Sequence, residues 1–153
     1  MKIVVVSDSH RRFSRLEEIR KRNSDAEVFI HCGDLEVSKE YAQGYILVLG
    51  NNDYYSSAPL ERILEYEGVK ILVTHSHLYY YNRRIDDLWQ KAKRLSCSLV
   101  CFGHTHQPYY EQREGIWLVN PGSLVYNRDG SPCGYLVITL EKSIVKSIER
   151  IHL

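Results

Sequence analysis

Five short apolar runs of this 153-residue chain are each followed by side chains of the kinds that bind metal ions. Five of the seven histidines fall in these segments, and the two long helical stretches contain none. If the runs are strands of α/β sheets, the groups that follow them meet outside the carboxyl ends of the strands, where such folds bind ligands. The segments are residues 8–10, 33–34, 50–53, 74–77 and 103–106.

The residue types in these segments predict a site for two divalent metal ions per chain. Carboxylates, an amide carbonyl and neutral imidazoles form an oxygen and nitrogen set without cysteine, which suits Mn, Fe, Ni, Co or Zn, and we expect Mn first. One ion needs three or four protein ligands, so the available residues suffice for two ions if one carboxylate bridges them. Asp34 is the expected bridge, because it follows a strand that lies beside the first. The candidates are Asp8, His10, Asp34, Asn51, His75, His104 and His106.

The elements that must position these residues follow the pattern of a layered α/β fold. The early apolar runs are rich in Val, Ile and Leu, which predicts strands that are covered on both faces. Stretches 13–22 and 84–95 carry apolar residues on one side and predict helices. The expected strands are residues 3–7, 27–31, 45–49, 70–74 and 98–102, then a hairpin partner at 60–66 and antiparallel strands at 108–112, 116–119, 135–140 and 144–151.

Composition narrows the class of protein. The length fits one domain over residues 1–153. A net charge of +1 argues against polymeric nucleic acid as a partner, since phosphate contacts need clustered basic residues. No apolar run approaches the roughly 20 residues of a membrane span, so no membrane partner is expected. The chain start is too short for a secretory signal, and a cytoplasmic location is expected. The four cysteines have no C-x-x-C spacing and are expected as free thiols.

The motifs form a known series. Asp-x-His, Gly-Asp, Gly-Asn-x-Asp, Thr-His-x-His and Gly-His-Thr-His, in this order and spacing, resemble the calcineurin-like metallophosphoesterase superfamily. More narrowly, they are similar to the small bacterial and archaeal phosphodiesterases of the YfcE type. The match runs from Lys2 to about Ser123, where residues 120–123 repeat the Asn-Pro-Gly-Ser of that family. The resemblance implies a four-layer α/β/β/α sandwich, with two mixed β-sheets flanked by helices.

The resemblance also implies a division of ligands and a reaction. Asp8, His10, Asp34 and His106 would hold one ion, and Asp34, Asn51, His75 and His104 would hold the other. A hydroxide that bridges the ions would attack the phosphorus of a small phosphodiester. The implied catalytic residues are Asn51, Asn52, His75 and His77.

The chain departs from the family pattern near this site. Asn52 stands where the protein phosphatases and nucleases carry a histidine that protonates the leaving group. Loss of such an acid costs about 10²–10⁴-fold with a poor leaving group, so we expect diesters with aryl leaving groups as the best substrates. Arg11 and Ser76 stand where relatives usually have glycine. Asn52, His77 and Arg11 are the candidate substrate contacts, although His77 could instead orient a ligand or be an ordinary loop residue.

Other functions are compatible with parts of the pattern. A retromer subunit shares the family fold, has lost ligand residues and serves as a protein-binding scaffold, whereas all seven positions are filled here. DNA nucleases of the superfamily use extra capping segments and the acid histidine, and this chain has neither. The tyrosines at 54–55 and 79–81 would flank the site, where they could stack on a substrate or form the interface of a homo-oligomer.

Overall fold

The computed structural model describes residues 1–54 and 57–153 and contains two five-stranded sheets. The first sheet has the order β10-β9-β1-β2-β3 and the second the order β4-β5-β6-β8-β7. The strands are β1 (Lys2–Val6), β2 (Val28–His31), β3 (Tyr45–Leu47), β4 (Glu61–Tyr66), β5 (Val69–Thr74), β6 (Leu99–Phe102), β7 (Tyr109–Arg113), β8 (Ile116–Asn120), β9 (Gly134–Glu141) and β10 (Ile144–His152). The helices are α1 (Phe13–Arg22), α2 (Arg84–Arg94) and a short 3-10 helix at Lys39–Ala42.

Three apolar layers hold these elements together and confirm the predicted four-layer sandwich. Side chains such as Ile3 and Val5 of the first sheet pack against Ile71 and Val73 of the second, and all four are fully buried. A second cluster joins α1 to the outer face of the first sheet, and a third joins α2 to the outer face of the second. Burial on both faces explains why the central strands are continuous apolar runs.

The pairing of the strands brings their carboxyl ends to one edge. In the first sheet β1, β2 and β3 are parallel, with Val5 paired to Ile30 and Ile30 to Ile46. In the second sheet β5 and β6 are parallel. Each of these five strands ends just before one of the polar segments. Strand β3 is shorter than predicted, because the Leu49 amide donates to the carbonyl of Pro59 and so leaves the ladder.

Helices of the described chain are too short to cross a bilayer. The longest is α2, with 11 residues, and neither it nor α1 has the length and hydropathy of a membrane span. Both helices instead bury one stripe against a sheet, with Leu16 and Ile19 of α1 and Leu88 and Ala92 of α2 inside the molecule.

Candidate metal centre

The backbone around the candidate ligands is held in an unusual conformation. Asp8, His10, Asp34, His104 and His106 all have positive φ values, between 41° and 73°. Non-glycine residues rarely adopt this left-handed region, and such strain concentrates at functional sites. Hydrogen bonds between the loops maintain it: the Asp8 amide donates to the carbonyl of Gly33 at 3.0 Å and the His10 amide to that of Asp34 at 3.1 Å. The first two loops are therefore fixed to each other through their backbones.

One group of ligand atoms is formed by Asp8, His10 and His106. The Nε2 atoms of the two histidines are 2.9 Å apart, and Asp8 Oδ1 lies 3.7 Å from that of His10 and 3.3 Å from that of His106. Asp8 Oδ1 is buried and has no hydrogen bond to any described residue. A buried carboxylate oxygen without a donor is costly unless a cation compensates it. Two imidazole nitrogens and this oxygen fit a divalent metal.

A second group is formed by Asp8, Asp34 and His75. His75 Nε2 lies 3.5 Å from Asp34 Oδ2 and 3.9 Å from Asp8 Oδ1. The carbonyl oxygen of Asn51 is 3.1 Å from His75 Nε2 and 3.1 Å from His104 Nδ1. Five loops thus direct oxygen and nitrogen atoms toward one place. The donor set is again that of a first-row divalent ion.

The carboxylate common to both groups is Asp8. Asp34 belongs to the second group, and both of its oxygens accept hydrogen bonds from Asn52, Oδ1 from the backbone amide at 3.0 Å and Oδ2 from the side chain at 2.9 Å. The bridging role of Asp34 stays a prediction. Asp8 Oδ2 is fixed by the Ser7 hydroxyl at 2.6 Å and the His104 amide at 3.1 Å, which leaves Oδ1 to face the two groups.

His75 is oriented for binding through Nε2. Its Nδ1 donates to the carbonyl of Cys32 at 2.7 Å, so Nε2 is the nitrogen that faces Asp8, Asp34 and Asn51. Burial opposes the charged form of this ring, but hydrogen bonding and attraction to Asp34 and Asp8 outweigh it and raise the pKa of His75. Burial likewise opposes charge on Asp34, yet contacts with His75 and Asn52 keep its pKa well below the usual range. Burial also opposes charge on Asp8, but contacts with His106 and His75 lower its pKa, so both carboxylates are ionised at neutral pH.

His104 is in a different electrostatic setting. Partial burial, followed by repulsion from His75 and Arg84, lowers the pKa of His104 to about 4. The ring is therefore neutral at neutral pH, which is the form that binds metals.

The three candidate substrate contacts lie at different places. His77 is half-buried, with its ring centroid 5.4 Å from that of His75, and its Nδ1 has no partner among the described residues. Asn52 lies at the centre, where its side-chain amide donates a hydrogen bond to Asp34. Arg11 is exposed and has a φ of 71°, a conformation that glycine adopts more readily than other residues.

The tyrosine segments divide into buried and exposed residues. The Tyr79 hydroxyl donates to Glu61, so this side chain ties its loop to β4. Tyr54, Tyr80 and Tyr81 are more than three-quarters exposed. Tyr55 lies outside the described residues.

Asp53 supports the centre in a way that sequence reasoning missed. Its carboxylate accepts hydrogen bonds from the backbone amides of Asp34, Glu36 and Gly50, each at 2.8 Å. These bonds fasten the loop after β2 to the loop after β3. The signal was present in the sequence, since Asp53 closes the Gly-Asn-x-Asp motif, but its spacing alone cannot distinguish a ligand from a residue that holds ligands in place.

Glu36 is a second missed residue, because its carboxylate accepts a hydrogen bond from His10 Nδ1. This contact leaves His10 Nε2 to face Asp8 and His106. We expect Glu36→Ala to weaken the binding of Mn²⁺ about 10–100-fold, since partners that orient a metal-binding histidine have effects of this size. Isothermal titration of the protein with Mn²⁺ measures it. Glu40→Ala, an exposed glutamate on the short 3-10 helix, is the matched control. An affinity for Glu36→Ala within about twofold of the wild type would contradict the assigned role.

His31 has a structural role, as the sequence indicated, because its ring is shielded from solvent and contacts polar groups of the protein. The ring is fully buried, its Nε2 lies 2.9 Å from the Ser9 hydroxyl, and its Nδ1 accepts a hydrogen bond from the Gly33 amide at 3.1 Å. Burial lowers the pKa of His31 to about 4.

The shifted pKa of His31 predicts a loss of stability in acid. Below the ordinary pKa of about 6.5 the unfolded chain binds a proton at His31 that the folded chain does not, so stability falls from pH 6.5 toward pH 4. At pH 5 this histidine should account for about 2 kcal/mol of lost unfolding free energy. Urea unfolding at pH 7.5 and pH 5, with a chelator present, measures the loss. His31→Asn should abolish the loss of unfolding free energy that is due to this histidine, whereas His152→Asn, at an exposed position, should leave it unchanged. Equal pH dependence in the wild type and both variants would refute the prediction.

Comparison with known proteins identifies the family. Residues 1–143 match the model of the calcineurin-like phosphoesterase superfamily domain. A probable metallophosphoesterase, YsnB of Bacillus subtilis, is 33% identical over 144 residues, which cover 92% of this chain and 85% of that protein. The phosphodiesterase YfcE of Escherichia coli is 30% identical over 123 residues, which cover 74% of this chain and 62% of that protein.

Solved structures agree with this result. A conserved protein of Streptococcus pneumoniae, described as a predicted phosphoesterase, superposes with a TM-score of 0.85 at 26% identity and covers 98% of this chain and 96% of its own. Vps29 of Entamoeba histolytica, complexed with Zn, has a TM-score of 0.76 at 18% identity, covers 99% of this chain and 98% of its own, and shows the same fold. The chain belongs to the calcineurin-like phosphoesterase superfamily.

Proposed function

We propose that the protein is a divalent-metal-dependent phosphodiesterase that hydrolyses small phosphoesters. The observation that carries the proposal is the buried Oδ1 of Asp8, which accepts no hydrogen bond from residues 1–54 or 57–153 and faces imidazole nitrogens of His10, His75 and His106. A carboxylate oxygen in this setting is suited to a cation and has no role in packing.

The proposed ligand sets follow the family pattern. Asp8, His10, Asp34 and His106 would hold one ion, and Asp34, Asn51, His75 and His104 the other, with Mn as the expected metal and Ni, Fe, Co or Zn as alternatives. Two bound ions would supply Lewis-acid stabilisation of the charge on the phosphoryl oxygens. The protein supplies a rigid frame, since hydrogen bonds to Asp53, Glu36, Ser7 and Cys32 fix the ligands before any substrate arrives.

The side chains beside this centre favour diesters with good leaving groups. Asn52 cannot act as an acid, and its amide already donates to Asp34. His77 Nδ1 has no hydrogen-bond partner in the part of the chain that the structure describes. Burial together with repulsion from His75 lowers the pKa of His77, so the ring is neutral at neutral pH. A neutral ring can donate a hydrogen bond to a substrate oxygen and orient it. It is poorly suited to give up a proton to an alkoxide.

A panel of metals and substrates tests the proposal. Mn, Ni, Co, Mg and Zn are each combined with bis-p-nitrophenyl phosphate, p-nitrophenyl phosphate and cyclic nucleotides. We expect the aryl diester to be hydrolysed at least about tenfold faster than the aryl monoester. Both lose the same p-nitrophenolate, which needs no protonation, but the monoester requires the site to bind a second negative charge. Hydrolysis of the diester that never exceeds that of the monoester, with any metal, would contradict the assignment.

A protein-binding scaffold of the same fold is the alternative that the sequence left open. The likeness to Vps29 supports it at the level of fold. Scaffolding does not require a full set of ligands, whereas all seven candidate positions hold ligand-type residues here. The cytoplasmic location and a homo-oligomer remain predictions from the sequence.

A further inference from the structure

A cavity of about 300 Å³ opens beside the loop that carries His104 and His106. It lies at the carboxyl end of β6 and the start of α2, and its lining includes Tyr81, Arg84, Ile85, Phe102, Thr105 and Gln107. Ligand pockets for small molecules begin at about this size, and one planar ring system with a short substituent fills such a volume.

The walls of this cavity are aromatic and apolar. Phe102 is almost completely buried, and Tyr109, which also lines the cavity, meets it edge to face with ring centroids 6.2 Å apart. Ile85 covers the helix side, and Tyr81 is exposed at the mouth. A planar aromatic group gains contact area on these surfaces.

Arg84 gives the cavity a fixed hydrogen-bond donor. The residue is 8% exposed, its Nε donates to the carbonyl of Ser76 at 3.2 Å and its Nη2 to that of Tyr79 at 3.3 Å. These bonds hold the guanidinium in one orientation. Nη1 makes no hydrogen bond within residues 1–54 and 57–153, so it is left to pair with an acceptor on a ligand.

The cavity is connected to the metal centre through two loops. Thr105, in its wall, stands between His104 and His106, and its hydroxyl accepts a hydrogen bond from Asn120 at 3.0 Å. Ser76, which Arg84 holds, stands between His75 and His77, and its hydroxyl donates to the carbonyl of Gly103 at 3.2 Å. The loops that form this side of the cavity are therefore the same loops that carry His75, His77, His104 and His106.

We propose that this cavity binds a nucleobase carried by the phosphodiester substrate, with a carbonyl edge of the base facing Arg84 and Gln107. The inference rests on the proposed function and names its substrate class. The aromatic walls favour a flat ring, the free guanidinium nitrogen requires an acceptor, and the Gln107 amide offers both a donor and an acceptor to the base edge. A purely alkyl substituent would leave the Arg84 donor without a partner.

Two esters with the same leaving group test the proposal. p-Nitrophenyl thymidine 5′-phosphate carries a base, and p-nitrophenyl methyl phosphate does not. Ile85→Phe narrows the cavity and Gln107→Leu removes the amide. In both variants KM for the thymidine ester should rise about tenfold, the value of one base contact, while KM for the methyl ester changes less than about twofold. Tyr80→Ala is the control, since this exposed neighbour lies outside the cavity lining. An unchanged ratio of the two KM values, or the same change in the control, would overturn the proposal.

A binding measurement separates this inference from the proposed function. Thymidine alone is titrated into chelator-treated protein, and amide resonances of Ile85, Thr105 and Gln107 are followed by NMR. Shifts confined to these residues, and abolished in Ile85→Phe, are expected whether or not the enzyme turns over a diester. If wild-type protein hydrolyses both esters but thymidine moves none of these resonances, the cavity proposal fails while the proposed function stands.

Discussion

Asp34→Ala should abolish turnover and prevent the uptake of both metal ions. Asp34 Oδ2 lies 3.5 Å from His75 Nε2, and its two oxygens are held in place by Asn52. Alanine removes the only negative charge that the second group has besides Asp8. We expect kcat for an aryl diester to fall at least about 10³-fold, which corresponds to about 4 kcal/mol of lost transition-state stabilisation. Steady-state kinetics and the metal content of dialysed protein measure the two effects.

The metal content shows whether Asp34 or Asp8 is the carboxylate that bridges the two ions. If Asp34 spans both ions, as the family pattern implies, the variant retains neither ion. If Asp8 is the bridge, as its place in both groups would allow, Asp34→Ala retains one ion and Asp8→Asn retains none. Asp25→Ala, at an exposed residue that pairs with Lys2, is the control and should behave like the wild type. Full turnover and two ions in Asp34→Ala would refute the metal site as assigned.

The fold was predictable because buried strands appear in the sequence as runs of apolar residues. Strands such as β1 and β6 are covered on both faces, so nearly every side chain is apolar, and the hairpin of β4 and β5 turns at Glu67 and Gly68, both with positive φ. The end of β3 was not predictable in the same way. Val48 and Leu49 are as apolar as a strand requires, but the hydrogen bond from Leu49 to Pro59 that ends the pairing joins residues whose contact only the folded chain reveals.

The candidate site was predictable to the extent that it depends on strand ends. Parallel strands place their carboxyl ends at one edge, so the order of motifs along the chain brings the ligand segments together. Contacts between a side chain of one loop and the residues of another produce no recognisable pattern in the sequence. Glu36 and Asp53 contact His10, Asp34 and Gly50 through hydrogen bonds that depend on the left-handed backbone at Asp34 and Glu36, and single-residue conformations of this kind follow from tertiary contacts.

The prominence of the tyrosines in the sequence was also a weak guide to their roles. Tyr79, Tyr80 and Tyr81 are adjacent, yet one is fixed to Glu61, one is exposed and one lies at the mouth of the cavity beside α2. Their directions depend on how the loop enters α2, where Arg84 donates to two loop carbonyls. The number of tyrosines in the sequence therefore does not predict the direction in which each side chain lies.

Gly50→Ala should disrupt the centre without removing any ligand. A Cβ at this position would fall on the backbone nitrogen and the carboxylate of Asp34, well inside van der Waals contact. Neither atom can move freely, because Asp53 holds the Asp34 and Gly50 amides and Asn52 holds the carboxylate. We expect a loss of about 2–4 kcal/mol in the free energy of unfolding, typical of a forced steric overlap, together with a loss of Mn²⁺ affinity of about 100-fold.

Gly115→Ala separates this effect from the general cost of replacing a glycine. Gly115 has a φ of 80° in the turn between β7 and β8, and a Cβ there would meet nothing within 4 Å. Its replacement should cost about 1 kcal/mol from backbone strain and leave Mn²⁺ binding unchanged. Urea unfolding and Mn²⁺ titration are measured on both variants. The two glycines differ in the atoms that surround them, so the two variants should differ in Mn²⁺ binding. If Gly50→Ala binds Mn²⁺ as tightly as Gly115→Ala, the loops after β2 and β3 are not packed together as described. The convergence of ligands would then lose its structural basis.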